Sequence, residues 1–171
     1  MTEQWYVDLE RTKIAFELIK DKIFHNKVDL VSVEGQNSIT MKWLDQYSGI
    51  DIIGRKNDNH LVTIASRIQW NKNYKTFTIR YERITGAKTE FEKRIEAIQK
   101  GYLYPNFTMQ AYINETPLQI LSWASIKTDI FYKYLIEHPE IMFERTANYE
   151  GNKFKYIYWS DISHLESFKN G

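Results

Sequence analysis

Three polar side chains in the first half of the sequence could meet on one face of a β-hairpin. The stretches GIDIIG (49–54) and HLVTIASRIQW (60–70) alternate like two strands around an Asn/Asp-rich turn. Because strand side chains alternate between faces, Asp51, Arg67 and Gln69 fall on one face if the strands pair. A carboxylate beside a guanidinium and an amide can build a polar site. It can equally form a partly buried ion pair with no further role.

The elements that would position this hairpin are predicted from local patterns. Residues 5–24 are expected to form a helix, because Ile14, Leu18 and Ile19 recur at helical spacing above a charged surface. Its inward stripe, continued one turn back from Ile14, includes Glu10. Short strands are expected for the segments DLVSVEGQNS, ITMKWL and KTFTIRYERI.

The second half of the chain predicts two more helices and two hairpins. TGAKTEFEKRIEAIQKG has Thr89 as an N-cap, Glu92 completing a capping box, and Gly101 as a stop. NFTMQAYI and LQILSWASI form a hairpin, KTDIFYKYLIEHP a helix ended by Pro139, and IMFERT with KFKYIYWS a last hairpin. No internal repeat or linker is present, so residues 1–171 are predicted to be one α+β domain, with helices flanking a mixed sheet and a C-terminal hairpin.

The order helix, three strands, helix, strand resembles the core of the PD-(D/E)xK, or restriction-endonuclease-like, nucleases. The resemblance covers about residues 5–113, and 114–171 would be an elaboration. It implies metal-dependent cleavage of phosphodiesters. In that family an Asp and an acidic residue two positions before a Lys bind magnesium, because the cation stabilises charge on the phosphate and activates a water.

The resemblance assigns roles to three residues, and Gln69 joins them as a candidate catalytic residue because it shares the strand face of Asp51 and Arg67. Asp51 stands at the family's Asp, and Glu10 is the candidate for the assisting carboxylate of the first helix, so both would bind Mg²⁺ or Mn²⁺. Arg67 stands where the Lys belongs and would steady the phosphate, with Gln69 beside it. Ala65 replaces the second acidic residue. Three interpretations follow: catalysis with a ligand moved to Glu10, Glu82 or Glu90; a relative that binds nucleic acid without cleaving it; or a structural pair of Asp51 with Arg67.

Charge is distributed unevenly along the chain. Residues 67–100 contain nine Lys or Arg and four Glu, a net charge of +5, whereas the remaining 14 basic and 18 acidic residues give −4. Aromatic residues interleave with these cations, as in proteins that hold nucleic acid by stacking and phosphate contacts, although a solvated helix face is the alternative. The expected nucleic-acid contacts are Trp70, Lys72, Tyr74, Lys75 and Arg80, with Lys93 and Arg94 on the neighbouring helix.

Several other classes of protein are excluded or disfavoured. The sequence has no cysteine, which excludes thiolate chemistry and favours the cytoplasm. No apolar run approaches the roughly 20 residues of a membrane span, and the N-terminus does not resemble a signal peptide. The four histidines have no metal-ligand spacing. The expected function is therefore nucleic-acid binding, with Mg²⁺-dependent nuclease activity as its catalytic form. The alternative is a protein-binding or inhibitor module from a phage or mobile element that acts through its aromatic edge strands.

Overall fold

The computed structural model describes residues 3–25, 27–33, 36, 38–56, 58–82, 86–146 and 153–171. Its helices are α1 Glu3–Leu18, α2 Ile39–Trp43, α3 Glu90–Lys100, α4 Thr128–Glu137 and α5 Trp159–Ile162. Its strands are β1 Asp29–Ser32, β2 Ile52–Arg55, β3 Leu61–Trp70, β4 Thr76–Glu82, β5 Phe107–Glu115, β6 Leu118–Lys127, β7 Phe143–Thr146, β8 Lys153–Tyr158 and β9 Lys169–Asn170. Short π-helical turns at Ile19–Ile23 and Leu44–Ser48 continue α1 and α2, and a 3-10 turn covers Pro139–Ile141. None of the helices in these ranges is long and apolar enough to cross a membrane.

The larger sheet is mixed, as the sequence predicts. Its six strands have the order β1-β2-β3-β5-β6-β9, and only the β3–β5 pair is parallel. A parallel pair needs a crossover connection, and β4 with α3 provides it. The remaining strands form an antiparallel three-stranded sheet in the order β4-β8-β7. The α+β fold class is therefore confirmed.

The large sheet is covered on both faces by apolar side chains. On one face, Ile52, Ile64 and Met109 form a core with Ile19 at the end of α1. On the other face, Tyr112 of β5 and Ile126 of β6 pack in a second core. This core also contains Phe77 of the small sheet, Phe131 of α4 and Trp159 of α5. The sheet thus separates two cores, and β3 runs between them.

Most of the predicted elements are present, but one has the wrong type. The two hairpins and the three main helices lie where the sequence places them, although the last hairpin's loop, residues 147–152, lies outside the described residues. ITMKWL is not a strand; Ile39–Trp43 is helical and is followed by a π turn. Its β-branched and aromatic residues favour a strand locally, but Ile39 and Trp43 are 66% and 59% exposed and no described strand pairs with them.

Thr89 caps α3 through a complete capping box. Its Oγ1 accepts the Glu92 N–H at 3.3 Å, and Glu92 Oε2 accepts the Thr89 N–H at 2.8 Å. We expect Thr89→Ala to lower the free energy of unfolding by about 1 kcal/mol, because the Glu92 N–H loses its acceptor and the Glu92 carboxylate loses the bond from the Thr89 hydroxyl. Urea denaturation measures the change, and Thr89→Ser should retain most of the stability. Equal losses in the two variants would contradict the capping role.

Candidate functional site

The open edge of β3 is the place where two of the three expected polar residues, Asp51 and Arg67, meet. β3 pairs with β2 only over residues 61–64, whereas it pairs with β5 over residues 64–70. In the described part of the chain, no strand pairs with the other side of β3 beyond residue 64. The second half of this strand therefore has an edge without strand pairing among the described residues, at the entrance of β2.

Asp51 lies at this edge, one residue before β2. Its backbone N–H donates to the Ile64 carbonyl at 2.9 Å, and its carboxylate Oδ2 accepts the Ser66 N–H at 2.6 Å. The Asp51 carboxylate thus accepts the Ser66 N–H in place of the backbone carbonyl that a longer β2 would offer. This local arrangement fixes the carboxylate where the sheet opens.

Two cavities meet at Asp51, Ser66 and Arg67. The α1 cavity, of about 320 Å³, is also lined by Arg11, Thr12 and Trp70 among other residues. The α3 cavity, of about 210 Å³, is also lined by Ala65, Thr78, Glu90, Arg94 and Gln110 among other residues. Because Asp51 and Arg67 border both cavities, a ligand on either face of the sheet can reach them.

Arg67 forms a salt bridge inside the α3 cavity. Its Nη2 lies 2.7 Å from Glu90 Oε2, and the same oxygen accepts the Arg80 N–H at 3.4 Å. Glu90 is the first residue of α3, where the positive end of the helix dipole favours a carboxylate. Gln69 lies outside the residues that line this cavity and donates to Thr78 Oγ1 at 3.4 Å.

Arg94, expected among the nucleic-acid contacts, is largely internal. Its side chain is only 5% exposed, with Nη1 donating to the Ser48 carbonyl at 2.6 Å and Nη2 to the Gly49 carbonyl at 3.3 Å. The residue lies one helical turn after Glu90, so both face inward from α3. Arg94 therefore holds the segment that leads into Asp51.

Electrostatic interactions connect Arg67, Glu90 and Arg94 to Tyr132 in the buried core. Burial raises the pKa of the Tyr132 phenol well above its ordinary value, and the nearby Glu90 carboxylate adds to the rise. The guanidinium groups of Arg94 and Arg67 act in the opposite direction. Tyr132 therefore stays neutral beside the charged residues of the α3 cavity.

Gln110 is a functional candidate that sequence reasoning missed. Its side chain is 1% exposed on β5, and its Oε1 accepts the Thr78 N–H at 3.1 Å. Among the described residues, nothing accepts a hydrogen bond from its buried Nε2. Buried donors are normally satisfied, so this amide can donate to a ligand oxygen in the α3 cavity. A glutamine inside the apolar strand NFTMQAYI was the available signal.

Comparisons with known proteins assign this chain to no family, so a function can be proposed only from the geometry of the site. The sequence matches no protein-family model, and no curated protein matches it either. The expected resemblance to restriction-endonuclease-like nucleases therefore stays a prediction, which rests on the order of elements and on Asp51.

Glu10 does not lie with Asp51 in this structure. It forms a salt bridge with Lys13 at 2.6 Å and is 64% exposed, and neither cavity at Asp51 is lined by it. The expected inward stripe of α1 is correct at Ile19, which is buried, but not at Ile14, which is 42% exposed while the next residue, Ala15, is buried. Arg11 consequently faces the α1 cavity in place of Glu10.

Only some of the lysines and arginines in residues 67–100 are available to contact a ligand. Lys88 and Lys100 both form salt bridges with Glu96, which lower the pKa of that carboxyl to about 2. Arg67 shares its Nη2 with Glu90 but still borders both cavities, and Arg94 is internal. Lys72 lies 5.9 Å from the Tyr74 ring centre in an exposed loop. Of the other expected contacts, Lys75 and Lys93 are exposed, and Trp70 and Arg80 are partly buried.

Two carboxylates border the α3 cavity and could hold a divalent cation. The described residues contain no group of three or more His, Cys, Asp or Glu placed to bind a metal. Mg²⁺ is, however, often bound by one or two carboxylates together with phosphate oxygens of a substrate. Asp51 and Glu90 fit that mode, whereas buried Ala65 offers no ligand.

Proposed function

We propose that this chain is a cytoplasmic protein that binds nucleic acid through the open edge of a restriction-endonuclease-like core. The observation that carries the proposal is the position of Arg67, which borders both cavities at the edge of β3 that no described strand covers. A guanidinium presents paired donors that match phosphate oxygens. The buried Gln110 amide adds a donor at the same cavity.

Cations and aromatic rings on the α1 side support the same proposal. Arg11 lies 5.8 Å from the centre of the Trp70 ring, and both line the α1 cavity with Asp51. Lys72 and Tyr74 follow in the next loop. Phosphates bind such cations, and bases stack on such rings.

Replacing Arg67 tests the proposal directly. We expect Arg67→Gln to weaken binding of labelled oligonucleotides about 5- to 10-fold and to reduce the salt dependence of the affinity by about one phosphate contact. Fluorescence anisotropy over a series of salt concentrations measures both quantities. Arg55→Gln is the matched control, because it removes the same charge from an exposed residue of β2 that pairs with Asp29.

The control also separates the proposal from its alternatives. Equal weakening by Arg67→Gln and Arg55→Gln would indicate general charge attraction and contradict a site at Arg67. A wild-type protein with no salt-dependent affinity for DNA or RNA would contradict the proposal altogether. In that case a protein partner becomes the better explanation of the exposed aromatic residues.

Metal-dependent cleavage is a second candidate function, favoured by one specific observation. Glu90 borders the α3 cavity together with Asp51, so a second carboxylate is present although Ala65 is not acidic. When bound there, Mg²⁺ or Mn²⁺ would lower the pKa of a water and stabilise charge on the phosphate. Asp51 and Glu90 would hold the ion, and Arg67 would orient the phosphate.

A further inference from the structure

One face of the small sheet carries a continuous row of aromatic side chains. We call Phe143, Phe154, Tyr156 and Tyr158 the aromatic strip. Phe143 is the register partner of Tyr156, and their rings stack with centroids 5.4 Å apart. The Tyr158 ring lies 5.7 Å from both the Phe143 and the Tyr156 rings. Phe143 and Tyr158 are each 43% exposed, whereas Phe154 and Tyr156 are partly buried.

The other face of the small sheet is occupied by the core. Phe77, Ile79 and Ile157 are 1%, 1% and 0% exposed and pack against α4 and α5. Strand alternation therefore explains why the strip points away from the core. The aromatic residues of the strip are consequently not needed to fill the protein interior.

Charges on the small sheet are separated between its two faces. Arg80 and Arg145 are both register partners of Phe154 and so lie on the strip face. The described carboxylates of the sheet, Glu82 and Glu144, are partners of Lys153 and Lys155 on the other face and form salt bridges with them. The strip face therefore combines aromatic rings with arginines, which complements a polyanion that has planar bases.

The strip connects the candidate site to the basic loop. At one end, the Cζ atoms of Arg67 and Arg80 lie 5.8 and 5.6 Å from the centre of the Phe154 ring. At the other end, Tyr158 is the register partner of Thr76, next to exposed Lys75. A strand of nucleic acid on the strip would thus reach both Arg67 and the loop of Lys72 and Tyr74.

We propose that the aromatic strip binds unpaired bases of single-stranded nucleic acid, with Arg80 and Arg145 contacting its backbone. This inference rests on the proposed function and specifies its substrate class. Alternate residues of β8 are spaced about 6.6 Å apart, whereas bases in one strand of a duplex rise only about 3.4 Å. Successive bases can spread over these rings only when they are unstacked, and a duplex does not allow this.

Tyr158→Ala tests the inference without disturbing the core. We expect the affinity for a labelled single-stranded oligonucleotide to fall about fivefold or more, the loss typical of one base that no longer stacks. Affinity for an abasic strand of equal length and for a duplex should change less than about twofold. Tyr158→Phe keeps the ring and should bind like the wild type. Tyr47→Ala is the matched control, because Tyr47 is 74% exposed on the π turn after α2.

The outcomes distinguish this inference from the proposed function. If wild-type protein binds base-bearing and abasic strands equally, and Arg67→Gln still weakens both, the strip does not read bases and only this inference is overturned. An equal loss for single strands and duplex in Tyr158→Ala would also overturn it. If the wild type binds none of these oligonucleotides, both proposals fall. Thermal unfolding of each variant confirms that the fold is intact.

Discussion

Arg94→Met is expected to lower the free energy of unfolding by about 3 kcal/mol and the melting temperature by roughly 6–12 °C. Methionine fills similar space but donates no hydrogen bond. The carbonyls of Ser48 and Gly49 would then lose the charged donor that now lies 2.6 and 3.3 Å away. Because only 5% of Arg94 is exposed, water cannot readily replace it. Urea and thermal denaturation measure the effect.

The neighbouring Lys93 provides the control for this prediction. It precedes Arg94 in α3, is exposed, and donates to the Gln46 carbonyl at 3.3 Å. Lys93→Met should change stability by no more than about 0.5 kcal/mol. Arg94→Lys should lose most of the stability, since one compact ammonium does not reproduce a planar fork that reaches two carbonyls. Similar losses for Arg94→Met and Lys93→Met would show that the internal contacts of Arg94 contribute little.

The role of Arg94 extends to the geometry of the site. Gly49 has φ of +60°, and a Cβ built on it would lie 2.9 Å from Nη2 of Arg94. The close approach of this guanidinium to the main chain therefore depends on glycine. Asp51 follows two residues later, so α3 positions the carboxylate through Arg94. An isolated sequence motif cannot reveal such a contact between residues more than 40 positions apart.

Local patterns predicted most elements because their determinants lie close together in the sequence. Thr89 and Glu92 form the capping box from residues three positions apart, and Gly101 ends α3 with φ of +68°. ITMKWL was misassigned because a strand needs a neighbouring strand: Ile39 and Trp43 are exposed, and no described strand pairs with this segment. Strand propensity depends on such a packing surface and does not make a strand without it.

The candidate site was predictable only where strand alternation determines neighbours. That rule places Asp51 and Arg67 at the same part of the hairpin, and both line the α3 cavity. Glu90 and Gln110 enter from α3 and β5, so their approach depends on packing between elements. Glu10 lies away from the site for a simpler reason. Adjacent residues of a helix point about 100° apart, so an error of one position exchanges a buried residue for an exposed one.

Asp51→Asn is expected to reduce metal-dependent cleavage on the order of 100-fold or more if the α3 cavity is catalytic. The substitution removes the negative charge that would bind Mg²⁺ or Mn²⁺. An amide oxygen can still accept the Ser66 N–H that Asp51 Oδ2 now accepts at 2.6 Å, so the hairpin should remain folded. Gel analysis of labelled single-stranded and duplex oligonucleotides, with each metal or with a chelator, measures bound and cleaved products separately.

Two further variants make this result specific to the cavity. Glu90→Gln should also impair cleavage, because Glu90 is the second carboxylate at the same cavity. Asp29→Asn removes an equivalent charge from β1, where Asp29 is exposed and pairs with Arg55, and should leave cleavage unchanged. Wild-type protein that binds oligonucleotides but leaves them intact with every metal would contradict the catalytic candidate and retain the binding function. Equal cleavage by wild type and Asp51→Asn would show that Asp51 holds no catalytic ion, because loss of a charged ligand must weaken the site.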